Sequence, residues 1–202
     1  SAADDSEKRI IVSTDSPEIA AKAGEEGVEV PFLRPSELST DTAGSREVIL
    51  HAMDYADSEG IPYDCVVLLQ PTSPFRTGRH ITEALALFNP ETTDMVVSVC
   101  KASANPYYNC FETDPASGYL HISKGDGLLT RRQDAPEAWE YNGAVYVINP
   151  ESIRKMPLGA FPRRIPYEMS REDSLDIDTP LDLTIARAVM DARMKEATSQ
   201  GN

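Results

Sequence analysis

Cys65-Val66-Val67-Leu68-Leu69-Gln70-Pro71-Thr72-Ser73-Pro74-Phe75-Arg76 is a continuous apolar run that stops abruptly at polar residues and prolines. A helical pattern follows it. Such a stop marks the carboxyl end of a buried strand, and in an open parallel sheet that end faces the ligand crevice. Gln70, Thr72, Ser73 and Arg76 therefore stand where a small molecule binds.

Upstream, Arg9-Ile10-Ile11-Val12-Ser13-Thr14-Asp15 reads as a strand ending in polar residues, and Ser16-Pro17-Glu18 offers an N-cap with proline at the first helical position. That helix runs to a glycine stop at Gly27, and residues 28–32 form a short second strand. A polar loop then ends at Asp41-Thr42-Ala43-Gly44-Ser45. The spacing of Val48, Ile49, Ala52 and Met53 predicts an amphipathic helix from about Ser45 to Ser58. Downstream, the pattern predicts a helix over 78–88, strands over 94–100 and 142–148, and a last helix from Thr179 to about Lys195. Apolar strands alternating with helices specify a doubly wound, mostly parallel α/β sheet. Residues 101–139 break that rhythm with short alternating pieces, Gly and Pro turns and no helical period. They are expected to leave the main sheet as an antiparallel flap.

The chain of 202 residues is 41% hydrophobic and 26% charged, enough to bury a core in one domain. No run approaches a membrane span, and Ser1-Ala2-Ala3-Asp4-Asp5 has neither the basic nor the apolar region of a signal peptide. The expectation is a cytoplasmic protein with no membrane association. A net charge of -14 excludes the basic stripe that nucleic-acid binding needs. It also repels an anionic substrate at long range, so such a site needs local arginines or a bound cation. Cys65, Cys100 and Cys110 show no CxxC spacing and indicate neither zinc nor a disulfide framework. No glycine-rich phosphate loop is present; Lys124-Gly125-Asp126-Gly127 lies in the flap and fits neither common fingerprint.

Asp176-Ile177-Asp178 directly precedes the last helix, so two carboxylates at strand spacing could share one hard cation. Alternatively, one of them caps the helix, a role Thr179 could equally fill. Arg131-Arg132-Gln133-Asp134 is the densest basic group, able to anchor a carboxylate or phosphate, or simply to balance acidic neighbours. Arg34, before a rigidifying proline, has the same two readings. His51, His80 and His121 are scattered and read as surface or helix-face residues. Tyr107, Tyr108, Trp139, Tyr141 and Tyr146 read as packing of the flap.

Taken in order, the segments resemble the acylneuraminate cytidylyltransferases (CMP-sialic acid synthetases) along nearly the whole chain. The matching blocks are Val12-Ser-Thr-Asp-Ser16; Val30-Pro-Phe-Leu-Arg34-Pro35 with Leu38-Ser-Thr-Asp41-Thr42-Ala43; Leu68-Leu-Gln70-Pro-Thr-Ser-Pro74; Arg131-Arg132-Gln133-Asp134; Asn142-Gly-Ala-Val-Tyr146; and Ser174-Leu-Asp176-Ile-Asp178-Thr179. The resemblance implies a single cytidylyltransferase-like domain over 1–202, with a three-layer nucleotide-diphospho-sugar transferase-like fold and residues 101–139 as an inserted dimerisation element. It implies transfer of CMP from CTP to the anomeric hydroxyl of a nonulosonic acid, N-acetylneuraminate or a close relative, with Mg2+ and release of pyrophosphate. By position, Asp176 and Asp178 correspond to the catalytic metal ligands, Arg34 and Ser45 to nucleotide contacts, and Gln70, Arg132, Asn142 and Tyr146 to sugar-acid contacts. The family opens with a strand and an Arg-x-Gly-Ser-Lys loop that cradles the triphosphate, and these 202 residues contain no counterpart. Relatives acting on other sugar acids carry an aspartate where Thr72 stands. Two further readings follow: a sugar- or nucleotide-binding module that keeps the fold without catalysis, and a cytidylyltransferase for legionaminate or 3-deoxy-manno-octulosonate.

Overall fold

The computed structural model describes residues 9–40 and 44–200. Ser1-Ala2-Ala3-Asp4-Asp5 and the motif residues Asp41, Thr42 and Ala43 lie outside the described residues. The helices are α1 (Pro17–Glu25), α2 (Ser45–Ser58), α3 (Gly78–Ala86), α4 (Pro150–Lys155) and α5 (Pro180–Gln200). The strands are β1 (Val66–Leu68), β2 (Met95–Lys101), β3 (Phe111–Thr113), β4 (Leu120–Ile122), β5 (Trp139–Ile148) and β6 (Arg164–Glu168). They form two compact units, one from Ser1–Asp64 with Pro150–Phe161 and one from Cys65–Asn149 with Pro162–Asn202.

In the first unit, the Ser16 hydroxyl accepts the Ile19 N–H at 3.3 Å with Pro17 opening α1, as the cap pattern requires. The helix stops at Gly27, whose φ of 74° an L-residue adopts only with strain. The two expected strands meet as parallel bridges, Ile11 with Glu29 and Thr14 with Leu33, too irregular to make a continuous ladder. Helix α2 buries Ile49, Met53 and Ala56. Its Arg46 guanidinium donates to the Ile153 and Arg154 carbonyls at the end of α4, each at 2.9 Å, where a cation satisfies orphan acceptors.

The second unit is built on a four-stranded sheet in the order β1-β5-β2-β6. The expected mostly parallel sheet is instead mixed, because β5 runs antiparallel to both β1 and β2 while β6 is parallel to β2. The cause is topological. The 101–139 excursion returns the chain beside the strand it left, which needs no crossover helix. One register row, Val67, Val147, Val96 and Ile165, lies under Ile81, Ala84 and Leu85 of α3 and makes the core. Each fully buried valine there contributes about 1.5–3 kcal/mol.

Strand β6 escapes the sequence pattern, since Pro166 in its centre argues against a strand. The structure places it at the sheet edge, where a missing N–H is tolerated. Within residues 101–139, β3 and β4 pair antiparallel as a separate hairpin. Among the described residues, no helix is long and apolar enough to cross a membrane.

Strand β5 does not track β2 evenly. Tyr146 faces Val97 and Tyr141 faces Val99, so residues 142–145 bulge opposite Ser98. Gly143 turns the bulge at φ 73°, and a Cβ there would stand 2.2 Å from Oε1 of Gln70. We expect Gly143→Ala to lower stability by about 1–2 kcal/mol, the left-handed penalty of an L-residue. That corresponds to a melting temperature about 2–8 °C lower. Gly24→Ala in α1, with nothing within 4 Å of the added methyl, should instead raise stability by up to about 1 kcal/mol. Thermal unfolding followed by circular dichroism measures both, and equal effects would contradict the assignment.

Candidate functional site

The bulge takes backbone groups out of the β2–β5 ladder, and in this buried place each unmet group would cost about 1–3 kcal/mol. Side chains meet them. The Val145 N–H donates to Ser98 Oγ at 2.7 Å and the Ala144 N–H to Asn142 Oδ1 at 3.1 Å. Ser73 Oγ donates to the Asn142 carbonyl at 3.3 Å, and Arg76 Nη1 donates to the Ala144 carbonyl at 2.8 Å and to the Gln70 carbonyl at 3.0 Å. The turn after β1 and the bulge of β5 are thereby locked together. Arg76, read from sequence as part of the ligand-facing edge, gives its Nη1 to two main-chain carbonyls, and burial pushes its pKa down.

The acidic segment docks on the same edge. The Ile177 N–H donates to the Thr72 carbonyl at 2.9 Å, setting Asp176 and Asp178 beside the turn that carries Gln70. The capping alternative resolves against both aspartates: Thr179 and Asp182 cap α5, with the Thr179 N–H on Asp182 Oδ2 at 2.8 Å and the Asp182 N–H on Thr179 Oγ1 at 3.3 Å. Among the described residues, Asp176 accepts only from its neighbour, the Ile177 N–H, at 3.2 Å, and Asp178 is exposed. These two carboxylates could hold a hard cation. Among the described residues, no cluster of three or more His, Cys, Asp or Glu side chains is arranged to do so alone.

Gln70 is half-buried with its side-chain amide against Gly143, and no described residue hydrogen-bonds that amide. Tyr146 is half-buried on β5, its ring edge-on to Tyr141 at 6.2 Å. Burial, then Tyr141 and Asp176, pushes its phenol pKa up, so it is a donor at neutral pH. Asn142 is 4% exposed, and its Nδ2 donates to Ser174 Oγ at 2.8 Å while Ser98 Oγ donates to its Oδ1 at 2.6 Å. Gln70, Asn142, Tyr146 and Asp176 are thus brought to the end of the sheet where β1 stops and β5 bulges. Arg132 is exposed in a short 3-10 turn, donating to the Ser103 carbonyl, and Arg131 pairs with Asp134 at 2.8 Å. In the other unit, Arg34 donates to Ser39 Oγ at 3.1 Å and pairs with Asp15 at 3.3 Å. Ser45 is exposed in the first turn of α2, next to the N-cap Gly44.

No protein-family model matches the chain. Among curated proteins, it is 30% identical over 185 residues to a CMP-N,N'-diacetyllegionaminic acid synthase of Legionella pneumophila, covering 91% of this chain and 78% of that one. The chain belongs to the acylneuraminate cytidylyltransferase family. It is 35% identical over 173 residues to an N-acylneuraminate cytidylyltransferase of Streptococcus agalactiae, covering 85% of this chain and 40% of that one. A protein of the same name from Escherichia coli is 34% identical over 195 residues, with 94% and 43% covered. The chain therefore spans about two fifths of the length of these two cytidylyltransferases.

Several residues that build this cytidylyltransferase-family site escaped the sequence reading. Ser98 left a signal, as the one polar residue inside Met95-Val96-Val97-Ser98-Val99, where a buried hydroxyl must have a partner. His80 is not a surface histidine but 4% exposed, its Nδ1 accepting the Thr77 N–H at 3.2 Å to cap α3. Asp173 left no signal within the polar run Ser170-Arg171-Glu172-Asp173-Ser174. Burial opposes its ionisation, but the Ser170 hydroxyl, Arg193 and His80 outweigh that and hold its pKa below the ordinary 3.8. A depressed carboxyl supplies stability that is present above its unfolded pKa and is lost as pH falls through the folded value. Asp173→Asn should therefore be less stable than the parent at pH 7, with the gap narrowing below about pH 4. Urea midpoints at pH 7 and pH 3.5 measure this; a gap that widens on acidification would contradict it.

Proposed function

We propose that this chain carries the sugar-acid and metal side of a cytidylyltransferase that moves CMP from CTP to the anomeric hydroxyl of a nonulosonic acid, N-acetylneuraminate or a close relative. The observation that supports this most is the joint docking of the Gln70 edge, the Asn142–Ala144 bulge and the Asp176–Asp178 segment. Through the Ile177–Thr72 bond, the Asp176–Asp178 segment lies beside the turn that carries Gln70. The names carried by relatives at 30–35% identity agree with that chemistry.

In this reading, the sugar's hydroxyl oxygen bonds to the α-phosphorus of CTP and gives up its proton to water, the bond from that phosphorus to the bridging oxygen breaks, and pyrophosphate leaves. Gln70 and the Tyr146 hydroxyl bind the sugar's hydroxyl and acyl groups, where an amide can donate and accept at once. Asn142, most of whose bonds are internal, contributes its second amide hydrogen and fixes the bulge. Arg132 takes the sugar carboxylate, and Arg34 and Ser45 contact the nucleotide. Asp176 and Asp178 hold Mg2+; two hard carboxylate donors suit a cation that keeps waters and takes further oxygens from phosphates. When bound, that ion neutralises charge on phosphoryl oxygens. The fold is the three-layer, doubly wound nucleotide-diphospho-sugar transferase-like arrangement over 1–202, with residues 101–139 joining two copies into a cytoplasmic homodimer.

Incubating the intact protein with Mg2+, CTP and N-acetylneuraminate should release pyrophosphate, and legionaminate and 3-deoxy-manno-octulosonate define its range. Asp178→Asn should lower turnover by about 100-fold or more with an unchanged melting temperature, since a bound metal supplies several kcal/mol. Gln70→Ala should raise KM for the sugar about tenfold, the worth of about one hydrogen bond, and leave KM for CTP unchanged. Full turnover in Asp178→Asn removes the metal assignment, and inactivity with all three sugars counts against sugar-acid activation.

A further inference from the structure

We propose that Asp173, held by Arg193 and His80, is a positioning residue for the Asp176 and Asp178 carboxylates; the inference rests on the Mg2+ role given to that pair above. The acidic segment is tied down on both sides. Downstream, Thr179 and Asp182 close it at the start of α5, and the Ile177 N–H fixes its middle to Thr72. Upstream, Ser174 Oγ accepts from Asn142 Nδ2 at 2.8 Å and donates to the Ser170 carbonyl at 2.6 Å. The remaining anchor is the Asp173 carboxylate.

Three groups converge on it. Arg193 of α5 donates to Oδ1 at 2.8 Å, Ser170 Oγ donates to Oδ2 at 2.8 Å, and His80 Nε2 of α3 lies 3.8 Å from Oδ2. The His80 orientation is fixed from behind: Nδ1 accepts the Thr77 N–H, which leaves the proton on Nε2, facing Asp173. Arg193 is itself seated, its guanidinium 4.7 Å over the Phe75 ring, next to the Arg76 that locks the bulge. Of the segment's anchors, Asp173 alone reaches both α3 and α5.

The arrangement does two things. It removes slack from the residues just before the carboxylates, and it occupies the charge of Asp173 so that it neither repels the pair nor competes for their cation. Asp173 touches neither carboxylate and acts through the main chain that carries them, so the expected effect is the low end, about tenfold, of the range for groups bonded directly to a metal's ligands.

The test uses Mn2+ as a spectroscopic stand-in for Mg2+, titrated into the intact protein with CTP and followed by the free-ion electron paramagnetic resonance signal. Asp173→Asn and Arg193→Met should each weaken Mn2+ binding about tenfold. Arg193→Lys should keep most of it, and the double variant should be no worse than either single one, because the residues act as one unit. KM for the sugar should stay within about twofold of the parent, since Gln70 and Tyr146 are held by the bulge rather than by Asp173. Mn2+ binding unchanged in Asp173→Asn and lost in Asp178→Asn overturns the positioning role alone. Binding indifferent to Asp178→Asn overturns the metal reading and this inference together. If Asp173→Asn fails to fold, Arg193→Met and Arg193→Lys carry the same comparison, and equal Mn2+ affinities in those two overturn the proposal.

Discussion

Backbone groups released by a bulge in a buried strand must find partners, and here that requirement organises the site. Where β5 leaves β2 between Tyr141 and Tyr146, the freed groups bond to Ser73, Arg76, Ser98 and the Asn142 side chain. Two of these donors stand on the turn after β1, so satisfying the bulge also fixes that turn. Gln70 is then pinned against Gly143, the only residue type that leaves space for it. The free-energy scale supports this order of causes: about 1–3 kcal/mol for each unmet buried group exceeds what any exposed ion pair in the molecule contributes.

From this lock the chemistry follows outward. Asn142 reaches past the bulge to Ser174, and Thr72 reaches from the turn to Ile177, so the acidic segment is hung from the same two elements. Because Thr179 and Asp182 cap α5 by themselves, Asp176 and Asp178 keep their oxygens. In a chain of net charge -14, two unspent carboxylates beside a ligand-facing edge are an electrostatic cost unless a cation joins them. For the proposed function, the same acidity means that an anionic substrate would be drawn in by a bound cation and by local arginines rather than by the overall field.

Strands β1, β2 and β5 with α1 and α2 were legible because their signals are local: Ser16-Pro17 sets a cap, Gly27 a stop, and Ile49 with Met53 a buried stripe. The reversal of β5 was not, since strand direction depends on how residues 101–139 return, and no residue in the strand records it. Strand β6 was not anticipated, and Pro166 at its centre is harmless because the strand lies at the sheet edge. At the site, sequence order singled out Gln70, Asp176 and Asp178, but it gave no hint that Arg76 Nη1 bonds to carbonyls 6 and 68 residues away. Such bonds are invisible until the register is known. Asp173 and His80 were hidden for the same reason: each looks like an ordinary polar helix or loop residue until α3, α5 and the segment before Asp176 converge.

If the turn after β1, the β5 bulge and the acidic segment line one metal-nucleotide site, as proposed, an ion bound there lies close to all three. Paramagnetic broadening of backbone amide resonances by Mn2+ in the presence of CTP tests it most directly, since broadening falls off steeply with distance from the ion. Selective loss of the amide signals of Gln70, Thr72 and Ser73, of residues 142–146 and of residues 176–178 together, with β3 and β4 left sharp, is the expected result. Broadening of residues 176–178 that leaves Gln70, Thr72, Ser73 and residues 142–146 untouched would contradict it.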